Sequence, residues 1–173
     1  NRKNYVQKII SAVLIGLTFL SFQSFANTLD GEVKVKDAKI VWKGFKVTGA
    51  HEGVISLDSG TLIFEEDELV GGNFTVDMTS LTCTDLTGVY KSKLEEHLKS
   101  DDFFDTDKHK ESTLSITKAS KINATSYSVK ADLSIKGKTE KIEFVTSLYG
   151  KKATSSMKID RTKFGIEYGS GSV

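Results

Sequence analysis

The chain has 173 residues, which fits one domain large enough to bury a core. Its 38% hydrophobic and 27% charged content is that of an ordinary globular protein, and a formal net charge of +1 excludes a strongly basic nucleic-acid surface. Cys83 is the only cysteine, so an internal disulfide is excluded and stability must come from the core.

The first segment differs from the rest. Arg2, Lys3 and Lys8 are basic, and no acidic residue precedes Asp30. An apolar run from Ile9 to Phe22 follows, and Ser24-Phe25-Ala26 places small residues where a signal peptidase cuts. This is the layout of a secretory signal peptide over residues 1–26, and the run is shorter than the ~20 residues that span a bilayer. No stable membrane insertion is expected after cleavage. The three basic residues leave with the leader, so 21 of the 24 basic residues face 23 acidic ones, a net charge of −2.

Beyond residue 30 the pattern has a period of two. Val33 and Val35, then Ala38, Ile40 and Trp42, alternate with a phase change near Asp37 that predicts a bulge or bend. Ser59-Gly60 and Glu66-Asp67-Glu68 are read as hairpin connections, and Gly71-Gly72 as a kink or close approach inside a strand. Phe74, Val76 and Met78 alternate with polar residues. From Asp85 to Phe104 the spacing of Tyr90, Leu94 and Leu98 is helical instead. There Glu95 and Glu96 are expected to face away, and Ser100 to cap a second turn carrying Asp101, Asp102, Phe103 and Phe104. Strands resume with Leu114 and Ile116. The clearest run is Tyr127, Val129, Ala131, Leu133 and Ile135. Gly137 and Gly150 predict turns around Ile142, Phe144 and Leu148, and Met157 and Ile159 repeat the alternation. Short strands joined by turns predict an antiparallel sandwich or barrel, and the absence of proline favours closure into a barrel.

Chemistry is hard to find in this pattern. His51, His97 and His109 stand apart from one another and from Cys83 in sequence, without metal-site spacing, so neither a metal nor another cofactor is predicted. Asp101 and Asp102 are adjacent and would point to different faces of a helix, a poor acid–base pair and better read as helix N-terminal charges. No nucleophile elbow, phosphate loop or dinucleotide fingerprint is present, and no catalytic residue is assigned. A barrel interior then serves either as a packed core or as a ligand cavity.

Lys91-Ser92-Lys93-Leu94-Glu95-Glu96-His97-Leu98-Lys99-Ser100-Asp101-Asp102-Phe103-Phe104-Asp105 closely resembles the signature of the YceI-like family. Trp42-Lys43-Gly44 with Val47 to Gly53, Gly71 to Leu81, and Ile159 to Gly171 agree with it in order. The resemblance covers the chain from about Leu29 to its last residue, giving a YceI-like domain over residues 27–173. It implies a mostly β, lipocalin-like extended antiparallel β-barrel with one short helical insertion. It also implies export to the periplasm, and an elongated cavity for a polyisoprenoid or quinone-like lipid. The candidate wall residues are Trp42, Phe74, Val76, Met78, Leu94, Leu98, Phe103, Phe104, Leu114, Ile116, Phe144, Ile159 and Phe164. Arg161 is a candidate for an anionic head group or for pairing with Asp160.

The segment Asp107-Lys108-His109-Lys110-Glu111 departs from the family in lacking a proline. The chain also stops at Val173, where the family continues into a further loop and strand, so a barrel without its last strand is expected. A homodimer with a tunnel open at both ends is one arrangement of such a fold. The competing readings are a non-catalytic interaction module with a packed core and an enzyme acting on an isoprenoid lipid.

Overall fold

Alternating apolar and polar residues cannot satisfy a helix, and among the described residues they produce eight antiparallel strands. The structure, a computed structural model, describes residues 28–46 and 49–168. The expected signal peptide, Val47-Thr48 and the Gly169–Gly171 end of the last motif lie outside the described residues.

Gly31–Lys34 (β1) and Ile40–Lys46 (β2) both run along Gly49–Glu65 (β3). Gly31 faces Phe64 and Ile40 faces Ile55, a single register, so β1 and β2 are two halves of one edge strand. It leaves the sheet at residues 35–39, where the phase change was read. The order continues through Glu68–Cys83 (β4), Glu111–Asn123 (β5), Ser126–Ile135 (β6), Lys138–Tyr149 (β7) and Lys152–Ser156 (β8). Glu66-Asp67 and Lys136-Gly137 have positive φ at both positions, the tight turns that match strand twist. The pair Gly71-Gly72 falls beside a register shift between β3 and β4, where Val70 is the extra residue, in line with the kink.

Ser59-Gly60 is not a turn. It lies inside β3 at a bulge, and Gly60 is required there because the Phe74 ring occupies the space a Cβ would need.

The helix α1 spans Gly88–Lys99, between β4 and β5. Leu98 is buried and Leu94 half-buried, but Tyr90 is 72% exposed. Glu95 does not face away: its carboxylate accepts from the Cys83 amide at 2.8 Å, because the end of β4 has no strand partner for that N–H. Ser100 closes α1 instead of opening a second turn, its Oγ donating to the His97 carbonyl at 2.8 Å. Its own carbonyl accepts from the Phe103 and Asp105 amides. Asp101 and Asp102 therefore follow a helix C-terminus and are not N-terminal charges. Met157 and Ile159 lie past the end of β8, outside any strand.

The sheet is strongly curled. Leu62 and Phe64 of β3 and Leu69 of β4 pack with Tyr127, Val129 and Ala131 of β6 and Phe144 of β7. In a flat sheet β3 and β6 would stand about 14 Å apart, three strand spacings. Contact between them requires the sheet to wrap round its own inner face. The wrap is a half-barrel. Among the described residues β8 pairs only with β7, and β1 and β2 only with β3, so the expected closure is not made. β8 runs only five residues, all exposed, and among the described residues leaves one edge of the sheet unpaired.

A second cluster fills one end. The 3-10 helix Arg161–Phe164 carries Phe164, which with Ile166 and Leu133 is buried against Phe103, Phe104, Leu114, Ile135 and Ile142. Asp160 holds its start, accepting from the Thr162 amide and hydroxyl, and those bonds keep its carboxyl below the usual range.

Candidate ligand-binding interior

The pairings fix which side chains share the inner face. Leu62, Gly72, Ile116, Ala131 and Ile142 form one row across five strands. Gly60, Phe74, Leu114 and Leu133 form the next, and Leu57, Val76 and Ser112 the one beyond. Around the buried residues of the wall, Phe74, Leu114, Ile116, Ala119, Ile142 and Leu148 remain only partly covered. The curled inner face thus forms a largely apolar trough, interrupted by Ser112 and Thr146.

The structure divides the predicted wall residues into three groups. Phe74, Leu114, Ile116 and Phe144 meet in the trough. Phe103, Phe104 and Phe164 meet in the end cluster, and Leu114 touches both. Trp42, Val76, Met78, Leu94, Leu98 and Ile159 are in neither hydrophobic cluster. Of these, Val76 continues the inner face beyond Phe74, and Met78 is buried where its amide donates to the Lys110 carbonyl. Leu94 and Leu98 sit on α1, which packs on β4. Ile159 is 43% exposed. Trp42 lies over Gly53, where a Cβ would come within 2.5 Å of the indole and 1.8 Å of the Thr82 carbonyl oxygen. Its Nε1 donates to that same carbonyl at 3.1 Å, tying β2 across β3 to β4.

Sequence reasoning missed Leu62, Phe64, Leu69, Tyr127 and Val129 as wall residues. The alternation of β6 was the available signal for the last two.

The polar groups gather elsewhere. Asp85 joins the end of β4 to β3: its carboxylate accepts from the Cys83 thiol at 2.9 Å and from the Glu52 amide at 3.2 Å, and pairs with His51 Nδ1 at 2.9 Å. The thiol and the imidazole together hold its pKa down to about 2. Cys83 is fully buried, and burial first, then the Asp85 carboxylate, pushes its thiol up. A thiol held protonated, with a carboxylate between it and the imidazole, is not an activated nucleophile. His97 stacks edge-on to Phe103 and lies 4.3 Å from the Tyr168 ring. Arg161 donates to the Ile166 carbonyl and lies over Phe103, where its expected partners were an anion or Asp160. Among the described residues no His, Cys, Asp and Glu cluster could hold a metal ion, and no helix is long and apolar enough to cross a membrane.

A cleft of about 670 Å³ opens where the edge strand leaves the sheet, between residues 35–40 and 54–59. Successive residues of both segments line it, so it lies in the plane of the sheet and cuts through the wall.

A curled antiparallel sheet, one helix between its fourth and fifth strands and a plugged end describe a fold, and comparison gives it a family. The YceI-like domain matches residues 19–173. The chain belongs to the YceI-like family. Solved YceI-type structures share the fold at low identity. The Campylobacter jejuni YCEI protein is 19% identical over 90% of this chain and 88% of its own, with a TM-score of 0.53. A mutant of it with a monobromobimane guest gives 0.55. Burkholderia cenocepacia BcnA is 18% identical, covering 65% of this chain and 71% of its own, with a TM-score of 0.54. No curated protein matches the sequence. The lipocalin-like fold expected of a YceI-like chain is the one observed, in half-barrel form, and family and fold make this a binding protein of the YceI type.

Proposed function

We propose that this YceI-like protein is a non-catalytic carrier that is exported to the periplasm and holds a polyisoprenoid or similar long apolar lipid along its inner face. The observation that carries the reading is the half-covered rim of the trough, from Phe74 through Leu114, Ile116 and Ile142 to Leu148. A packed core covers such side chains, whereas a wall awaiting a ligand leaves them open on one side. A prenyl chain would gain about 0.8 kcal/mol for each CH₂ it buries there. The His51–Asp85–Cys83 group ties chain segments together, and its one nucleophilic atom, the Cys83 sulfur, is a buried thiol bonded to a carboxylate, which supports a carrier over an enzyme that uses it.

The test is a chain-length series. Lipid-free protein titrated with prenyl alcohols of increasing length should bind more tightly with each isoprene unit until the trough is covered. Ile116→Trp, which fills the trough, should weaken every member. An affinity independent of length would contradict the reading.

The second reading is an interaction module. It is favoured by exposed large apolar side chains on the sheet, Tyr149 and Val145 of β7 and Ile122 of β5. In that case no lipid binds, and mutating Tyr149 disrupts association instead.

A further inference from the structure

The end cluster plugs one end of the trough. Leu133 and Ile135, at the end of β6, pack in it, so β6 starts at Ser126 at the opposite, open end. Among the described residues the open end is bordered by the start of β1 and by three hairpin tips, β3–β4, β5–β6 and β7–β8. The last two tips form one surface. Ser126 pairs with Ser147, and the Leu148 amide donates to the Thr125 carbonyl at 2.7 Å.

That surface combines exposed apolar side chains with charge of one sign. Ile122, the extra residue where β5 shifts register against β6, is 56% exposed, and Tyr149 is 81% exposed. Lys118, Lys121, Lys151 and Lys152 accompany them, all exposed. No acidic residue occurs from Lys118 to Ala131 or from Phe144 to Ile159, although the chain beyond residue 26 is net acidic. Acid at the open end belongs to its other half. Glu65, Glu66, Asp67 and Glu68 mark the β3–β4 tip, Asp30 and Glu32 the start of β1, and Lys121 meets Glu68 at 3.3 Å where the halves join.

We propose that the β5–β6 and β7–β8 tips dock on the surface of an anionic phospholipid bilayer and set the open end of the trough against it. The sign of the charge selects the occupant, since each lysine at an anionic surface strengthens binding about fivefold. A tyrosine ring suits the head-group layer, where its body is sheltered and its hydroxyl stays wet. Lysine stems lie along the acyl boundary while their ammonium groups reach the phosphates. The acidic β3–β4 tip is repelled by the same surface, so the contact is oblique, on the β5–β8 side. The inference rests on the carrier reading and adds a route to it. A long apolar chain resists exposure to water, and a trough that opens onto the membrane shortens its aqueous path.

The experiment measures co-sedimentation of the full mature protein with vesicles of phosphatidylcholine, alone or mixed with an equal part of phosphatidylglycerol. Prenyl alcohol binding is measured beside it, without vesicles. Wild type should bind the mixed vesicles, ignore the neutral ones, and let go as salt is raised. Lys151→Gln with Lys152→Gln should bind the mixed vesicles about twentyfold more weakly, and Tyr149→Ser severalfold more weakly. Both variants should keep the wild-type melting temperature and prenyl alcohol affinity. Equal binding to the two kinds of vesicle, or binding unmoved by these substitutions, would overturn the docking surface. Wild type that takes up prenyl alcohol but ignores every vesicle would also overturn it, and would leave the carrier standing. Self-association that Tyr149→Ser abolishes, without vesicle binding, would overturn it by giving the surface to a second copy of the chain. Charge-dependent vesicle binding by a protein that takes up no prenyl alcohol would support the surface and sink the carrier.

Discussion

The two apolar clusters of this chain use similar side chains to opposite ends. In the end cluster Phe164 is 2% exposed and Ile166 fully buried, held by a 3-10 turn whose start is fixed by Asp160. In the trough Phe74, Ile116 and Leu148 keep one side uncovered, though they lie on the longest and best-paired strands. Backbone order is therefore no guide to which side chains are spare. Where a loop folds back over the sheet, an aromatic residue is structural. Where only the curl of the sheet shelters the face, Tyr127 and Val129 are buried but the rim at Phe74, Ile116 and Leu148 stays half-covered.

The comparison breaks most easily at Phe164. Phe164→Ala should cost about 3–5 kcal/mol, the range for a fully buried aromatic side chain, and leave the affinity of the remaining folded protein nearly unchanged. Phe74→Ala should reverse the balance, losing about 1–2 kcal/mol of stability but most of the lipid binding. Urea denaturation beside lipid titration separates the two, and equal profiles would dissolve the distinction.

Gly53→Ala comes next. Its Cβ would overlap the Thr82 carbonyl and the Trp42 indole, so the strands must part, at about 2–3 kcal/mol. Trp42→Phe keeps the ring over Gly53 but removes the donor to Thr82, and should cost about 1 kcal/mol. Both are read from denaturation midpoints and sharpen the contrast by testing the edge, away from both clusters.

The smallest effect is electrostatic. The folded pKa of Asp85 is depressed to about 2 by the Cys83 thiol and His51, against about 3.9 in the unfolded chain. Its contribution is present above the unfolded value and fades as pH falls from about 4 through about 2. Asp85→Asn should flatten the stability profile over that window, and an unchanged profile would show the bonds to be idle.

Much of this architecture could be read from residues. The alternation of β6 gave both its span and its inward face, since every second side chain from Tyr127 to Ile135 is apolar. The phase change near Asp37 located the place where the edge strand leaves the sheet. Other features were hidden for physical reasons. Ser59-Gly60 carries the same local signal whether glycine makes a turn or admits a neighbouring ring, and only the position of Phe74 decides. Glu95 looked solvent-facing on a helical wheel, but an unpaired amide at the end of β4 claimed it.

The most direct test of the central claim is mass spectrometry of the mature protein purified without detergent, under native and then denaturing conditions. The account predicts a stoichiometric extra mass that is released on unfolding and fragments as an isoprenoid. A protein that carries no such mass, and acquires none when offered prenyl lipids, would contradict it.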